Sequence, residues 1–226
     1  MDLYDVMRTT FAAREFTEDP VSDEMLARIL DNARFAPSGG NRQGWKVLVI
    51  REQATRDALV PLIRPTLQRY MAQVMNGESP WNTINPTSLS DAEIAAIEVP
   101  EQRIRALTDA PVLLMVFVDL ADVASFDATL DRVGVISGAS IYPFVWNILL
   151  AARNEGLGGT PTTFVGAAEA DLQALLGVPE QMAFAAMIPL GRPVKQLTRL
   201  TRKPVEEFVM KERWQGPALT SPNPDR

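Results

Sequence analysis

The spacing of apolar residues divides the chain into helical and extended stretches. One amphipathic helix begins after Ser22, a residue type that caps helix N-termini, and reaches Ala33. Residues 53–75 have the same spacing, but Pro61 and Pro65 interrupt it and predict two helical pieces or a kink. This part of the chain is therefore predicted to be helical but not continuous.

Continuous apolar runs mark the predicted strands. Residues 47–50 and 184–190 are short runs of this kind, and residues 111–118 are apolar throughout, as expected for a strand buried on both faces. Residues from about 130 to 155 predict the longest helix, in which Pro143 marks a kink. Together these elements predict helices packed on a central sheet.

The length and the order of elements predict one domain. The chain has 226 residues, enough for one substantial core, and no repeat or linker divides residues 1–214. Residues from about 65 to 110 form a helical insertion, with a helix predicted at 90–107 after Ser90, and this insertion is a candidate lid or pocket wall. Residues 215–226 predict a flexible C-terminal tail.

The composition excludes several kinds of chemistry. The formal net charge is −6, whereas a dedicated nucleic-acid binder needs a basic face. The chain has no Cys and no His, which excludes thiol redox chemistry, imidazole catalysis and the usual zinc ligands, and no metal site is predicted. A redox enzyme of this composition must therefore take its electron carrier from a cofactor.

The arrangement of basic and apolar residues does not predict a targeting signal or a membrane span. The first residues do not combine a basic stretch with an apolar one, and no window approaches the ~18 apolar residues of a membrane span. We therefore expect a cytoplasmic protein with no membrane partner.

A glycine-rich segment lies between a predicted helix and a predicted strand. Pro37 lacks the amide that a further helical turn needs, and the following Ser-Gly-Gly-Asn can bring backbone N–H groups close to a ligand. The segment Pro-Ser-Gly-Gly-Asn-Arg-Gln-Gly-Trp resembles the Pro-Ser-x-x-Asn-x-Gln-Pro-Trp motif of the nitroreductase family of FMN-dependent oxidoreductases. Gly44 stands where that family has proline, and the matching positions are Pro37, Ser38, Asn41, Gln43 and Trp45.

Two further segments are similar to the same family. Arg14 matches the second arginine of its Arg-Ser-x-Arg-x-Phe opening, whereas Phe11 and Ala12 replace the Arg-Ser pair. Residues 151–163 resemble the Gly-Leu-Gly turn that leads to a strand beside the flavin ring. The glycines at 158–159 are expected to let the backbone approach a flat ligand.

The resemblance implies an α+β fold and a bound flavin. The family's fold is a sandwich in which helices flank a central mixed, mainly antiparallel sheet, and two subunits form an intertwined homodimer. FMN binds at the subunit interface of such a dimer, and NAD(P)H is the co-substrate. Because a hydride passes through flavin N5 in a ping-pong scheme, no catalytic side chain is predicted.

Candidate contacts to the charged parts of FMN follow from matching positions. Arg8, with Thr9 or Thr10 supplying a hydroxyl, takes the place of the missing Arg-Ser pair at the phosphate, unless Arg8 is only a solvated surface residue. Arg202 lies in a segment similar to the family's Arg-Lys-Pro stretch and is a second phosphate candidate. Arg14 is assigned either to the phosphate or to the N1/O2 edge, which gathers negative charge on reduction.

The remaining candidate contacts fall into three groups. The amides and hydroxyls expected at the N5/O4 edge belong to Pro161, Thr162 and Thr163. The residues expected at the ribityl chain and the pyrimidine end, from the other subunit, are Pro37, Ser38, Gly39 and Asn41. The candidate substrate contacts are Arg42, Tyr70 and Trp81. An alternative for the two aromatic residues is that they only anchor the insertion.

Three functions stay open from the sequence. The first is an FMN-dependent NAD(P)H oxidoreductase acting on nitroaromatic, quinone or similar electron-poor acceptors. The second is other flavin chemistry on the same fold, such as reductive dehalogenation or dehydrogenation, because Gly44 and residues 11–12 depart from the family pattern. The third is a flavin-free binding or regulatory relative, supported by the missing Arg-Ser pair alone. The sequence does not choose between NADH and NADPH.

Overall fold

A four-stranded sheet forms the centre of the fold. The computed structural model describes residues 1–220. Its strands are β1 (Trp45–Ile50), β2 (Val112–Asp119), β3 (Gly158–Gly159) and β4 (Met182–Gly191). Their order across the sheet is β1–β2–β4–β3, with antiparallel pairing at each step, and a parallel bridge joins Ala12 to Gly159 beyond β3. The predicted α+β sandwich with a mainly antiparallel sheet is confirmed.

Seven α-helices surround the sheet in the described part of the chain. They are α1 (Leu3–Thr9), α2 (Asp23–Ala33), α3 (Gln53–Met75), α4 (Asp91–Ala95), α5 (Glu101–Thr108), α6 (Tyr142–Asn154) and α7 (Glu169–Leu176). The Ser22 hydroxyl accepts the Met25 N–H at 3.2 Å, which confirms the predicted N-cap of α2. Within residues 1–220, no helix combines the length and the apolar character that crossing a membrane would need.

The central strand β2 is buried on both faces, which explains the two helical layers. Side chains alternate between the faces of a strand. Leu114 and Val116 pack with α2 and α6, whereas Leu113 and Met115 pack with α3, α5 and α7. None of these four side chains is exposed. The apolar run at 111–118 is thus the doubly buried strand that its composition predicts.

Helix α3 is one element from Gln53 to Met75, so of the two predicted alternatives the division into two pieces at Pro61 and Pro65 is wrong. Both prolines lie on the exposed face of the helix. On the opposite face Leu59, Ile63 and Leu67 form a buried stripe at a spacing of four residues. Burial of this stripe holds the helix together although each proline removes one backbone donor.

The predicted helix at 130–155 begins only at Tyr142, and Pro143 lies in its first turn rather than at a kink. Proline is tolerated there because first-turn N–H groups have no partner within the helix. Upstream, the buried Asp127 carboxylate accepts hydrogen bonds from the Val135 N–H and from Arg132, both at 2.8 Å. The chain closes into a turn at this point, and α3 is the longest helix described.

The insertion and the tail also differ in detail from their predictions. The single helix predicted at 90–107 is two helices, α4 and α5, although the predicted capping box of Ser90 with Glu93 is present. In the tail, an antiparallel bridge pairs Met210 with Ala218. The last part of the predicted tail, residues 221–226, lies outside the described residues.

One buried arginine ties α3 to the start of β2. The Arg56 side chain donates to the carbonyls of Thr108 and Pro111, each at 3.0 Å, and also to the carbonyl of Ala110. Arg56 is only 6% exposed, so these carbonyls have no ready access to water. Its loss would leave buried acceptors unsatisfied.

We predict that Arg56→Leu lowers the free energy of unfolding by about 2–4 kcal/mol, because buried carbonyls lose their donors. Urea unfolding at one fixed protein concentration measures this effect. Arg103→Leu is the matched control, since Arg103 is exposed on α5 and its side chain makes no hydrogen bond or ion pair among residues 1–220. Equal losses of unfolding free energy in the two variants would contradict the role assigned to Arg56.

Candidate cofactor site

A cavity of about 620 Å³ opens between the C-terminal half of α3, the loop that follows it, and the segment after β3. Its aromatic side is formed by Tyr70, Trp81 and Phe164. Its hydrogen-bonding side is formed by Arg14, Thr160, Thr162 and Thr163. Among the described residues, no Asp or Glu lines it. The cavity therefore combines an apolar, aromatic wall with donors and a positive charge.

The segment after β3 is held by β4. The Thr162 N–H donates to the Met187 carbonyl at 2.8 Å, and the Met187 N–H donates back to Thr162 at 2.9 Å. The Thr162 hydroxyl is buried and has no hydrogen-bond partner, an arrangement that costs about 1–3 kcal/mol unless a ligand supplies one. The Thr163 N–H likewise has no acceptor within residues 1–220. Two donors are thus left over at the cavity.

The two glycines of β3 are required by internal packing. A Cβ added to Gly159 would lie 2.6 Å from the Pro189 carbonyl oxygen, and one added to Gly158 would lie 2.8 Å from Pro193. Both distances are shorter than real Cβ contacts allow. The β3 backbone thus approaches its own protein neighbours, and its approach to a flat ligand stays a prediction.

Arg14 reaches the cavity from the segment beside β3. The Ala13 N–H donates to the Gly159 carbonyl at 3.1 Å, which fixes the backbone next to Arg14. The Arg14 side chain is exposed, donates only to the Ala12 carbonyl at 3.3 Å, and has no carboxylate partner in the described part of the chain. Its charge is available to an anionic ligand.

Trp81 closes the aromatic side in a strained conformation. Its φ is 53°, a left-handed value that is uncommon for a bulky residue. The Trp81 N–H donates to the side-chain oxygen of Gln73 at 3.0 Å, and Gln73 is only 3% exposed. Such strain persists only where the surroundings determine the conformation. The backbone at Trp81 is therefore fixed beside the cavity, and its side chain lies on the lining.

Glu78 fastens the loop that carries Trp81. Its carboxylate accepts hydrogen bonds from the Thr87 hydroxyl at 2.6 Å, from the Ser88 N–H at 2.9 Å and from the Asn76 side chain at 2.9 Å. These bonds, that from Thr87 first, lower the pKa of Glu78 from 4.5 to about 2. The carboxylate thus joins both ends of the loop at neutral pH.

The glycine-rich segment forms a tight loop with three left-handed residues, Gly40, Asn41 and Gln43. The Ser38 hydroxyl accepts the Gln43 N–H at 3.0 Å, and the Gly39 N–H donates to the Ser140 hydroxyl at 3.1 Å. Two of its polar groups are therefore already engaged within the chain. A Cβ at the next position, Gly44, would lie 2.6 Å from the Cβ of Asp122, which accounts for glycine where the family motif has proline.

The predicted site residues divide into two sets. Those that line the cavity together are Arg14, Tyr70, Trp81, Pro161, Thr162 and Thr163. Those that do not line it in the single chain are Arg8, Thr10, Pro37, Ser38, Gly39, Asn41, Arg42 and Arg202. Arg8 lies over the Tyr4 ring at 5.8 Å, the buried Thr10 hydroxyl donates to Val6, and Arg202 donates to Thr201.

Several residues at the cavity were not among the predicted contacts. Thr160 lies within the 151–163 segment and Phe164 directly follows it, so a slightly wider boundary would have included both. The other lining residues outside the prediction are Thr66, Pro80, Leu107 and Ala167. Arg69 lies on α3 with its guanidinium carbon 4.8 Å from the centroid of the Trp81 ring. Nothing in its local sequence separates it from an ordinary surface arginine, because its partner is twelve positions away in an irregular loop.

The sequence matches the model of the Nitroreductase family over residues 7–192. The chain belongs to the nitroreductase family. Curated relatives include an NADH dehydrogenase of Thermus thermophilus, 29% identical over 87% of this chain and 89% of that one. A nitrobenzene nitroreductase of Ectopseudomonas oleovorans is 28% identical over 91% and 94%, and an iodotyrosine deiodinase of Nematostella vectensis is 23% identical over 92% and 74%.

Solved nitroreductase-fold structures share the architecture of this family member. A BluB-like flavoprotein from Clostridium difficile 630 superposes with a TM-score of 0.68 at 22% identity, covering 93% of this chain and 98% of that one. A nitroreductase with bound FMN from Desulfitobacterium hafniense DCB-2 superposes with a TM-score of 0.59 at 18% identity, covering 93% and 98%. These likenesses show the fold.

The cavity of this nitroreductase-family chain fits part of a flavin mononucleotide. A flat ring with carbonyl and nitrogen acceptors needs neutral donors along its edge and a cation near its electron-rich end. The unpartnered Thr162 hydroxyl, the Thr163 N–H and Arg14 supply this donor set. Phosphate donors do not line the cavity, because Arg8 and Arg202 lie elsewhere in the single chain.

We predict that Glu78→Gln loosens the loop around Trp81 and flattens the dependence of stability on pH. The pKa of Glu78 is lower in the folded chain than its usual value, so its stabilisation is present above about pH 4.5 and is lost as the pH falls toward 2. Urea unfolding between about pH 6 and pH 3 measures the slope. Glu98→Gln is the control, because Glu98 is exposed and accepts no hydrogen bond in the described structure. An unchanged slope in Glu78→Gln would contradict the role.

Proposed function

We propose that the protein is an FMN-dependent NAD(P)H oxidoreductase that reduces electron-poor aromatic or quinone acceptors. The observation that carries the proposal is the cavity in which unpaired donors and Arg14 face an aromatic wall. Family membership and the FMN-bound relative support the cofactor. The names of the NADH dehydrogenase and nitrobenzene nitroreductase relatives support the donor and acceptor classes.

In this proposal the chain binds and orients FMN and its substrates and shields them from water, and FMN carries the electrons. FMN, when bound, supplies reversible uptake of a hydride from NAD(P)H and its delivery to an acceptor. Thr162 and Thr163 direct donors at the ring edge, and Arg14 attracts negative charge. Tyr70 and Trp81 offer flat surfaces that exclude water and stack against NAD(P)H or the acceptor in turn.

We also propose that the working unit is a homodimer. Exposed aromatic residues support it: Tyr142 and Trp146 lie one turn apart on α6, and Trp214 near the C-terminus is 94% exposed. Apolar surface of this kind favours burial against a second copy. A second copy could also bring Ser38 and Arg202 to the cofactor, which would complete the phosphate and ribityl contacts.

Reductive dehalogenation is the second candidate function. Similarity to an iodotyrosine deiodinase over 92% of this chain favours it. The same cavity would then take a halogenated phenol, and the chain would keep the same contacts to FMN. The choice of acceptor in the experiment separates the two functions.

We predict that the purified protein binds FMN, that NADH or NADPH bleaches the flavin under anaerobic conditions, and that a nitroaromatic or quinone restores its colour. Light scattering should give a particle of two chains. Reoxidation by an iodophenol, and not by a nitroaromatic or quinone, would favour dehalogenation. Failure to bind FMN from excess would contradict the proposal.

Two variants locate the cofactor within this experiment. Arg14→Gln should weaken FMN binding about tenfold, since one charge-assisted contact is lost. Thr162→Val should also weaken FMN binding but should stabilise the flavin-free protein, because it removes an unsatisfied hydroxyl. Arg28→Gln is the control, as Arg28 lies on α2 and pairs with Glu155. FMN titration followed by fluorescence measures the affinity of all three variants for FMN.

A further inference from the structure

We propose that Arg69, held against Trp81, selects aromatic acceptors that carry an anionic substituent such as a carboxylate. This inference rests on the proposed function and names the substrate class within it. It assigns a specificity-determining role to a residue outside the predicted site. Three observations carry it: the unpaired state of Arg69, the fixed position of Trp81, and the charge balance of the cavity.

Arg69 is a half-buried cation that pairs with no carboxylate among residues 1–220. Its guanidinium carbon lies 4.8 Å from the centroid of the Trp81 ring, within the range of a cation–π contact. Its Nε is buried and makes no hydrogen bond, and no carboxylate lies within 4.0 Å of it among residues 1–220. By contrast, Arg64 and Arg105 nearby on α3 and α5 both pair with carboxylates. Its terminal nitrogens, which make no hydrogen bond among residues 1–220, are therefore the donors left for an incoming anion.

The position of the guanidinium depends on the held indole. Trp81 lines the cavity, and its strained backbone is fixed by the hydrogen bond to Gln73. Arg69 is not itself on the cavity lining; its guanidinium carbon lies 4.8 Å from the centroid of the Trp81 ring, so a ligand in the cavity comes near this charge only at the indole. Arginine suits a carboxylate because its planar fork can donate two parallel hydrogen bonds.

The charge balance of the cavity favours an anion. The protein as a whole has a formal net charge of −6, yet Arg14 is the charged residue on the cavity lining and no acidic residue joins it there. The nearest fixed carboxylate of the loop, Glu78, is occupied by Thr87, Ser88 and Asn76. If Arg14 serves the cofactor, Arg69 remains to recognise the acceptor.

The test compares two acceptors that differ in charge but little in shape, 4-nitrobenzoate and its neutral methyl ester. We expect Arg69→Gln to lower kcat/KM for 4-nitrobenzoate about fivefold to tenfold, mainly through KM, and to leave the ester within about twofold. Arg69→Lys keeps the charge and should retain part of the preference. Arg28→Gln removes a charge from the other face of the sheet and should change neither acceptor.

A binding measurement separates this inference from the proposed function. Quenching of tryptophan fluorescence by 4-nitrobenzoate, measured on the protein as purified and corrected with Trp81→Phe, reports binding at Trp81 without turnover. If neither a nitroaromatic nor a quinone is reduced but Arg69→Gln still weakens this binding about fivefold, the proposed function fails and the inference stands. If reduction occurs and Arg69→Gln affects acid and ester alike, or neither, the inference is overturned and the function stands.

Discussion

Burial of β2 on both faces is the constraint on which the rest of the structure depends. A strand that is apolar throughout can be stable only between two layers, so helices must cover both sides of the sheet. Because β4 pairs with β2, its position is set by the same burial. Met187 of β4 makes two backbone hydrogen bonds with Thr162, so the buried strands also position the residues at the edge of the cavity.

Much of this fold could be predicted from the sequence because its signals are local. The apolar run identifies β2 from the residues of the strand itself, and Ser22 caps α2 by a hydrogen bond to a residue three positions away. The errors came from tertiary burial and from hydrogen bonds between side chains and backbone. Burial of Ile63 and its neighbours stabilises α3 as one helix despite its two prolines. The Asp127 carboxylate stabilises a turn in a stretch where the spacing of apolar residues predicted a helix. Neither effect is visible in the spacing of apolar residues.

The candidate site was predictable in part for the same reason. The segment at 161–163 lies next to a recognisable glycine turn, and Arg14 lies at a motif position, so both could be named in advance. Arg69 could not, because its role depends on a loop that folds back to bring Trp81 over it. The glycine-rich loop carries the clearest motif, yet within one chain its hydroxyl at Ser38 is used to hold its own backbone.

The packing of β3 bears on how such a protein can change over evolution. Gly158 and Gly159 cannot gain a side chain without displacing Pro193 or the Pro189 carbonyl, so this edge of the sheet is closed to variation. The loop that carries Trp81 is held largely by hydrogen bonds of polar side chains, so its sequence can change far more readily. The shape of the cavity can therefore change through its aromatic wall, while the edge of the sheet beside it stays the same.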